Sequence, residues 1–177
     1  MAATQWSIDP AHSEIQFKIR HLMITNVTGS FGTFAGGAET EGDDFSNAKV
    51  NFSADIASIN TNSTDRDTHL KSADFFDADT YPKLSFESTG MTKKSDDEYE
   101  LTGNMTIRDT TKPVTFTVEA GGITKDPWGN TKAGFSLSGK INRKDFGLTW
   151  NAALETGGVM VSEDVKLMAE VQLVKAA

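Results

Sequence analysis

The chain has 177 residues, enough for one domain with a buried core. Its net charge of -8, from 17 basic and 25 acidic residues, argues against nucleic-acid partners and against bulk attraction to anionic membranes. With no cysteine it can form no disulfide, thiol nucleophile or zinc–thiolate site.

Residues 1–6 have neither a basic nor an apolar signal-peptide region, so the sequence as written reads as cytoplasmic. A periplasmic or secreted chain whose leader was removed would read the same. No apolar run approaches the roughly 20 residues of a membrane helix, so stable membrane insertion is not expected.

Trp6 and Ile8 open a short strand that Pro10 interrupts. From Ser13 to His21, Ile15, Phe17, Ile19 and His21 alternate with Glu14, Gln16, Lys18 and Arg20, the period-two signature of a half-buried strand. A Gly-rich second strand covers about 26–36 and carries Phe31; an open edge beside it would pair with a second copy, giving a homodimer. Residues 39–47 read as an acidic turn. Residues 49–57 alternate again, with Phe52 and Ile56 facing inward.

Residues 63–88 do not begin as a strand. Thr64 with Asp67 fits a helix cap, and a short helix over 65–71 follows. Leu70, Phe75 and Phe76 are apolar anchors on a polar frame, and Pro82 stops any further helix. The stretch near 64–81 therefore reads as a helical plug against one barrel end. A strand from Lys83 carries Phe86, the next carries Met105 and Ile107, and residues 108–113 read as a tight connection. Phe116 lies on the strand over 114–118, residues 121–130 form a loop, and Phe135 and Leu137 belong to the strand over 133–141. Residues 146–164, with Trp150, are irregular, and the last strand carries Leu167.

These are about eight strands at antiparallel-hairpin spacing. Nearly every one has a single apolar face, and no long amphipathic helix exists to cover a second. The fold class is therefore all-β: an eight-stranded antiparallel up-and-down barrel, in one domain over 1–177. Its interior either fills with side chains or holds one small ligand. Small residues on the inward faces (Ala54, Gly103, Ala133, Gly139 and Ala169) would leave gaps between the phenylalanines, opening an elongated apolar channel. The expected lining is Phe17, Ile19, Phe31, Phe52, Ile56, Phe86, Met105, Ile107, Phe116, Phe135, Leu137, Trp150 and Leu167.

No catalytic set emerges. His12, His21 and His69 show no metal-ligand spacing, and no Gly-x-Ser-x-Gly elbow is present. Caps and turns account for Asp65, Asp67, Asp74, Asp77 and Asp79. An enzyme using His21 or these acids is the alternative, and a solid-core stress or scaffold protein is another. Arg66, Lys71, Arg108, Lys112, Arg143 and Lys144 are expected to pair with nearby acids, with one or two left for a polar ligand head.

Several blocks carry a family likeness. Residues 6–13 (Trp-Ser-Ile-Asp-Pro-Ala-His-Ser) with 17–21 (Phe-Lys-Ile-Arg-His) resemble the opening of the YceI-like family. Residues 66–77, from Arg-Asp-Thr-His-Leu to Asp-Phe-Phe-Asp, then 81–86, resemble its central signature, and 103–108 leading to 111–114, and 141–147, resemble its later blocks. The resemblance implies a lipocalin-like barrel whose channel binds a long isoprenoid, such as an isoprenoid quinone or polyprenyl lipid. It carries over no catalytic residue, metal or catalytic cofactor.

Overall fold

The computed structural model describes residues 3–22, 24–148 and 161–176. Eleven strands among these residues form one antiparallel sheet. They are β1 (Ala3–Ile8), β2 (Glu14–His21), β3 (Thr25–Phe31), β4 (Phe34–Glu41), β5 (Asp44–Asp55), β6 (Ile59–Asn60), β7 (Lys83–Lys93), β8 (Glu98–Ile107), β9 (Thr110–Lys125), β10 (Thr131–Asn142) and β11 (Val161–Lys175). Helix α1 (Thr64–Lys71) lies between β6 and β7.

The eleven strands occupy eight positions, because three long strands bend. Pro10 starts a single turn of 3-10 helix that splits β1 from β2, and the Asp9 side chain accepts the Ala11 amide there. Gly32 and Thr33 separate β3 from β4, and a second 3-10 turn, Ile56–Ser58, separates β5 from β6. β1 pairs with β4 and β2 with β3, so the bent strands stay in step. β11 closes the ring by pairing with both halves of the first strand: Ile8 faces Leu173 and Ile19 faces Val165. The result is a closed eight-stranded antiparallel barrel. Beside the Gly-rich strand, β4 is flanked by β1 and β5, whereas β3 meets β6 only at Ser30 and Phe31, so its residues 25–29 pair with β2 alone.

Strand ends differ from the sequence reading where turn residues mislead. The acidic turn shrinks to Gly42 and Asp43, because β4 runs to Glu41 and β5 starts at Asp44. β9 continues through Gly121 and Gly122 to Lys125; these glycines sit beside a bulge at Gly134/Phe135 rather than in a loop. The connection over 108–113 contracts to Arg108 and Asp109, with Arg108 in the left-handed region at φ 57°. Pro113 stays inside β9: β10 covers that strand only from Phe116 onward, so one side is open and a missing amide there costs no rung.

Antiparallel order puts both termini and the turns after β4, β7 and β9 at one end. The turns after β2 and β8, together with α1, lie at the other. At the first end Trp6, Phe45 and Phe135 stack in sequence, with ring centroids 5.1 and 4.8 Å apart. The Trp6 indole donates to Thr40 Oγ1 at 2.9 Å, which satisfies its one polar atom inside the core. This stack seals the end. The small residues are filled rather than open. A Cβ on Gly103 would collide with the Phe86 ring, and one on Gly139 would lie 2.8 Å from Phe116. Those glycines are slots for aromatic rings, and Ala54 and Ala133 are buried in the core.

Candidate functional site

A cavity of about 620 Å³ runs inside the barrel. Phe17, Ile19 and His21 reach it from β2, Phe31 from β3, Phe52 from β5 and Phe86 from β7. Met105 and Ile107 (β8), Phe116 (β9), Phe135 and Leu137 (β10) and Leu167 (β11) complete the far wall, and Leu70, Phe75 and Phe76 close over it from the helical segment. Period-two alternation explains this: each strand turns the same apolar series to the axis. The gap-forming role expected of small residues fails, since of the five only Ala169 lines the cavity. An eight-stranded ring leaves interior space by its geometry, and the small residues that do border it are Gly36, Gly37, Ala38 and Ala169.

Ile56 does not line the cavity. It sits in the 3-10 turn after β5, 1% exposed and packed into the core, because the strand bends there and the alternation stops. Trp150 lies outside the described residues. Lining residues not anticipated include Leu84, Leu101 and Leu173, which continue the same alternation and were legible from it, and Met91, which a bulge between Ser88 and Gly90 turns to the inner face. Arg143 is the larger miss.

Polar lining concentrates at the helix end: His21, Thr61, Ser63, Asp65, Arg66 and His69. Ser63, not Thr64, caps α1, accepting the Arg66 amide at 3.3 Å. Asp67 turns away from the cap and accepts from both the amide and the hydroxyl of Thr61. Arg66 is held against the same residue, donating through Nε to Thr61 Oγ1 at 2.8 Å and through Nη2 to its carbonyl at 2.6 Å. His69 Nε2 meets Asp74 Oδ2 at 2.9 Å, and its ring stands edge-on to Phe75. Arg143 is 2% exposed and donates to the carbonyls of Leu148, Ser162 and Val161 at 2.6, 2.8 and 3.3 Å. Burial pulls its pKa down, opposed by the Glu163 carboxylate. Arg108 likewise donates to the carbonyls of Phe75 and Gly147 and lies over the Tyr81 ring. Each of these three arginines donates to a backbone carbonyl, and Arg66 to a hydroxyl as well; Lys144 pairs with an acid as expected, with Glu163 at 2.8 Å.

A model of the YceI-like domain matches residues 6–173. The chain belongs to the YceI-like family. A UPF0312 protein of Staphylococcus aureus (strain N315) is 41% identical over 170 residues, covering 96% of each chain. The solved YceI protein of Campylobacter jejuni is 34% identical with a TM-score of 0.78, covering 90% of this chain and 91% of that one. BcnA of Burkholderia cenocepacia has a TM-score of 0.81 at 20% identity, covering 93% of this chain and 98% of its own. A polyisoprenoid-binding domain from Saccharophagus degradans has a TM-score of 0.70 at 14% identity, covering 97% and 98%. At those identities the last two show a shared fold alone.

Within this YceI-like barrel some of the groups suspected of chemistry are engaged in structure, while His21 and Asp65 line the cavity. Asp67 anchors Thr61, and Asp74 engages His69. Among the described residues no three His, Asp or Glu side chains come together as a metal site. What the arrangement offers is an apolar tube sealed at one end, with hydrogen-bond donors at the other.

Proposed function

We propose that this protein binds one long isoprenoid, an isoprenoid quinone or a polyprenyl lipid, along the barrel axis, for carriage, storage or sensing. The observation that carries the reading is the continuous aromatic and aliphatic lining from the Trp6–Phe45–Phe135 seal to the helix end. Each methylene withdrawn from water into such a lining gains roughly 0.8 kcal/mol, so a long chain binds without specific polar contacts. The sealed end admits no polar group; a ring or phosphate head therefore belongs at the helix end, near His21 and Arg66. The polyisoprenoid-binding character of the Saccharophagus domain supports the same ligand class.

Organic extraction of the purified protein followed by mass spectrometry is the test. An isoprenoid should be recovered in a fixed ratio to protein, and emptied protein should take up added isoprenoid quinone from detergent micelles. Extracts without isoprenoid, together with no uptake, would overturn the reading. Leu137→Asp places a carboxylate in the middle of the lining, so a folded variant should lose uptake.

A further inference from the structure

We propose that the turn between β2 and β3 is a membrane-docking tip. Leu22 and Ile24 enter an anionic bilayer while Lys18 and Lys166 meet its phosphates. The inference rests on the isoprenoid reading above: a ligand that fills an apolar tube is insoluble in water and has to be collected from, or returned to, a bilayer.

The turn residues are wrong for a turn. Leu22 is 37% exposed and Ile24 71% exposed, among the few large apolar side chains the barrel leaves in water. The Ile24 amide donates to the His21 carbonyl at 3.2 Å, and Leu22 adopts φ 53°. Hairpin turns with left-handed residues favour Gly, Asn or Asp, which reach that region cheaply or bond their own backbone. A leucine there carries backbone strain, and the isoleucine two residues on buries little of its side chain. Such a local mismatch is expected where function, not folding, sets the residue.

The tip is continuous with the cavity. His21, Ile19 and Val27, on the two strands it joins, all line the interior. A bilayer touching Ile24 would therefore lie at the cavity's polar end.

The outer faces beside the tip are basic. Lys18 stands opposite Thr28 on one side and Lys166 on the other, and Lys166 in turn stands opposite Lys140. Arg20 stands opposite Asn26. Cations on neighbouring strands repel, so this row is maintained against a folding cost. Of the nearby acids, Asp164 offsets Lys140 at 3.5 Å, which leaves the row to Lys18 and Lys166, and Glu163 meets Lys144 at 2.8 Å. In a chain of net charge -8, a local basic face acts over about one Debye length, roughly 8 Å at physiological salt. The overall charge opposes adsorption beyond that range, so docking is weak, reversible and salt-sensitive, which suits collection and release.

Trp128, 84% exposed, is the rival tip at the opposite end. Its loop is closed by Asp126, which accepts the Trp128 and Asn130 amides at 2.9 Å, and the lysine after it, Lys132, is paired with Asp9 at 2.8 Å.

Flotation of the full chain with phosphatidylcholine vesicles, with and without phosphatidylglycerol, tests the assignment. The chain should float with the phosphatidylglycerol vesicles and lose most of that binding as salt is raised. Ile24→Asp should reduce it by roughly tenfold or more, the loss of one inserted aliphatic side chain. Lys18→Glu with Lys166→Glu should remove the dependence on phosphatidylglycerol, and Trp128→Ser should change nothing. Uptake of isoprenoid quinone from detergent micelles, run in parallel, should be unaffected by Ile24→Asp. A chain that takes quinone from micelles yet floats with neither vesicle overturns the docking tip and leaves the cavity reading standing. Equal flotation of Ile24→Asp and wild type, or loss of flotation in Trp128→Ser, overturns it as well.

Discussion

The two ends of the barrel are closed by different means. At the terminal end, three aromatic rings from three strands pack face to edge, and Trp6, Phe45 and Phe135 are exposed by only 3%, 4% and 8%. At the helix end the cover is an eight-residue helix with no buried residue of its own. That cover is held by Phe75, by the half-buried Leu70 and Phe76, and by hydrogen bonds from Arg66 and Arg108. A lid of few apolar contacts and many exposed polar ones opens at a lower free energy than a ring stack built into the sheet. One end therefore bears stability, and the other is free to exchange.

The largest effect belongs at the sealed end. Phe45→Ala removes the middle ring of the stack and should cost about 3–5 kcal/mol, as for other buried aromatic truncations. In a chain of this size that lowers the melting temperature by roughly 10 °C or more. A loss below about 1 kcal/mol in chemical denaturation would mean that the stack is not what closes the barrel. Phe76→Ala comes next and should act on exchange. Its ring lies edge-on to Phe31 at 6.4 Å and lines the cavity while remaining half-buried. Removing it should speed release of a bound isoprenoid quinone by roughly tenfold, with a smaller stability loss than Phe45→Ala. Asp74→Asn, which touches only the exposed His69 contact, should change release less than twofold. If Asp74→Asn proved the faster of the two, the helix end would be a polar latch and not an apolar lid.

The same contrast explains what could be read from the sequence. The barrel and most of its lining were legible because alternation fixes which side chain faces the axis; Phe17, Phe52 and Phe116 need no more than that. Alternation stops being informative where a strand bends, and Ile56 was misplaced for that reason. Glycines were ambiguous in a second way. Read singly, Gly103 and Gly139 suggest empty space, yet each is matched to a phenylalanine on the next strand, a pairing that depends on register. The helix end was least legible. Its composition suggested acids pairing with bases, but did not show that Arg66, Arg108 and Arg143 would also donate to backbone carbonyls. Irregular backbone has to be satisfied by something, and which carbonyls are orphaned is a property of the fold, not of local sequence.

The smallest effect concerns charge at the bend between β1 and β2. Asp9 accepts from Lys132 at 2.8 Å and lies 2.8 Å from His12 Nδ1. Lys132, followed by His12, holds the Asp9 carboxyl down at about 2, against an ordinary value of 3.8. A carboxylate whose pKa falls on folding contributes stability that is fully present above the unfolded value. That contribution fades as pH drops through the folded value, here between 3.8 and about 2. Asp9→Asn keeps an oxygen for the Ala11 amide and removes the charge together with the Oδ2 acceptor of Lys132 and His12. Near neutral pH it should cost about 1 kcal/mol, allowing for solvent screening of a surface cluster. At about pH 2 the variant and the wild type should converge. Urea midpoints measured at the two pH values give the difference directly. A gap that persists unchanged into acid would assign Asp9 to the turn's hydrogen bonding, and would remove the ion pair with Lys132 from the account of why the bent first strand is held firmly while the helix end is not.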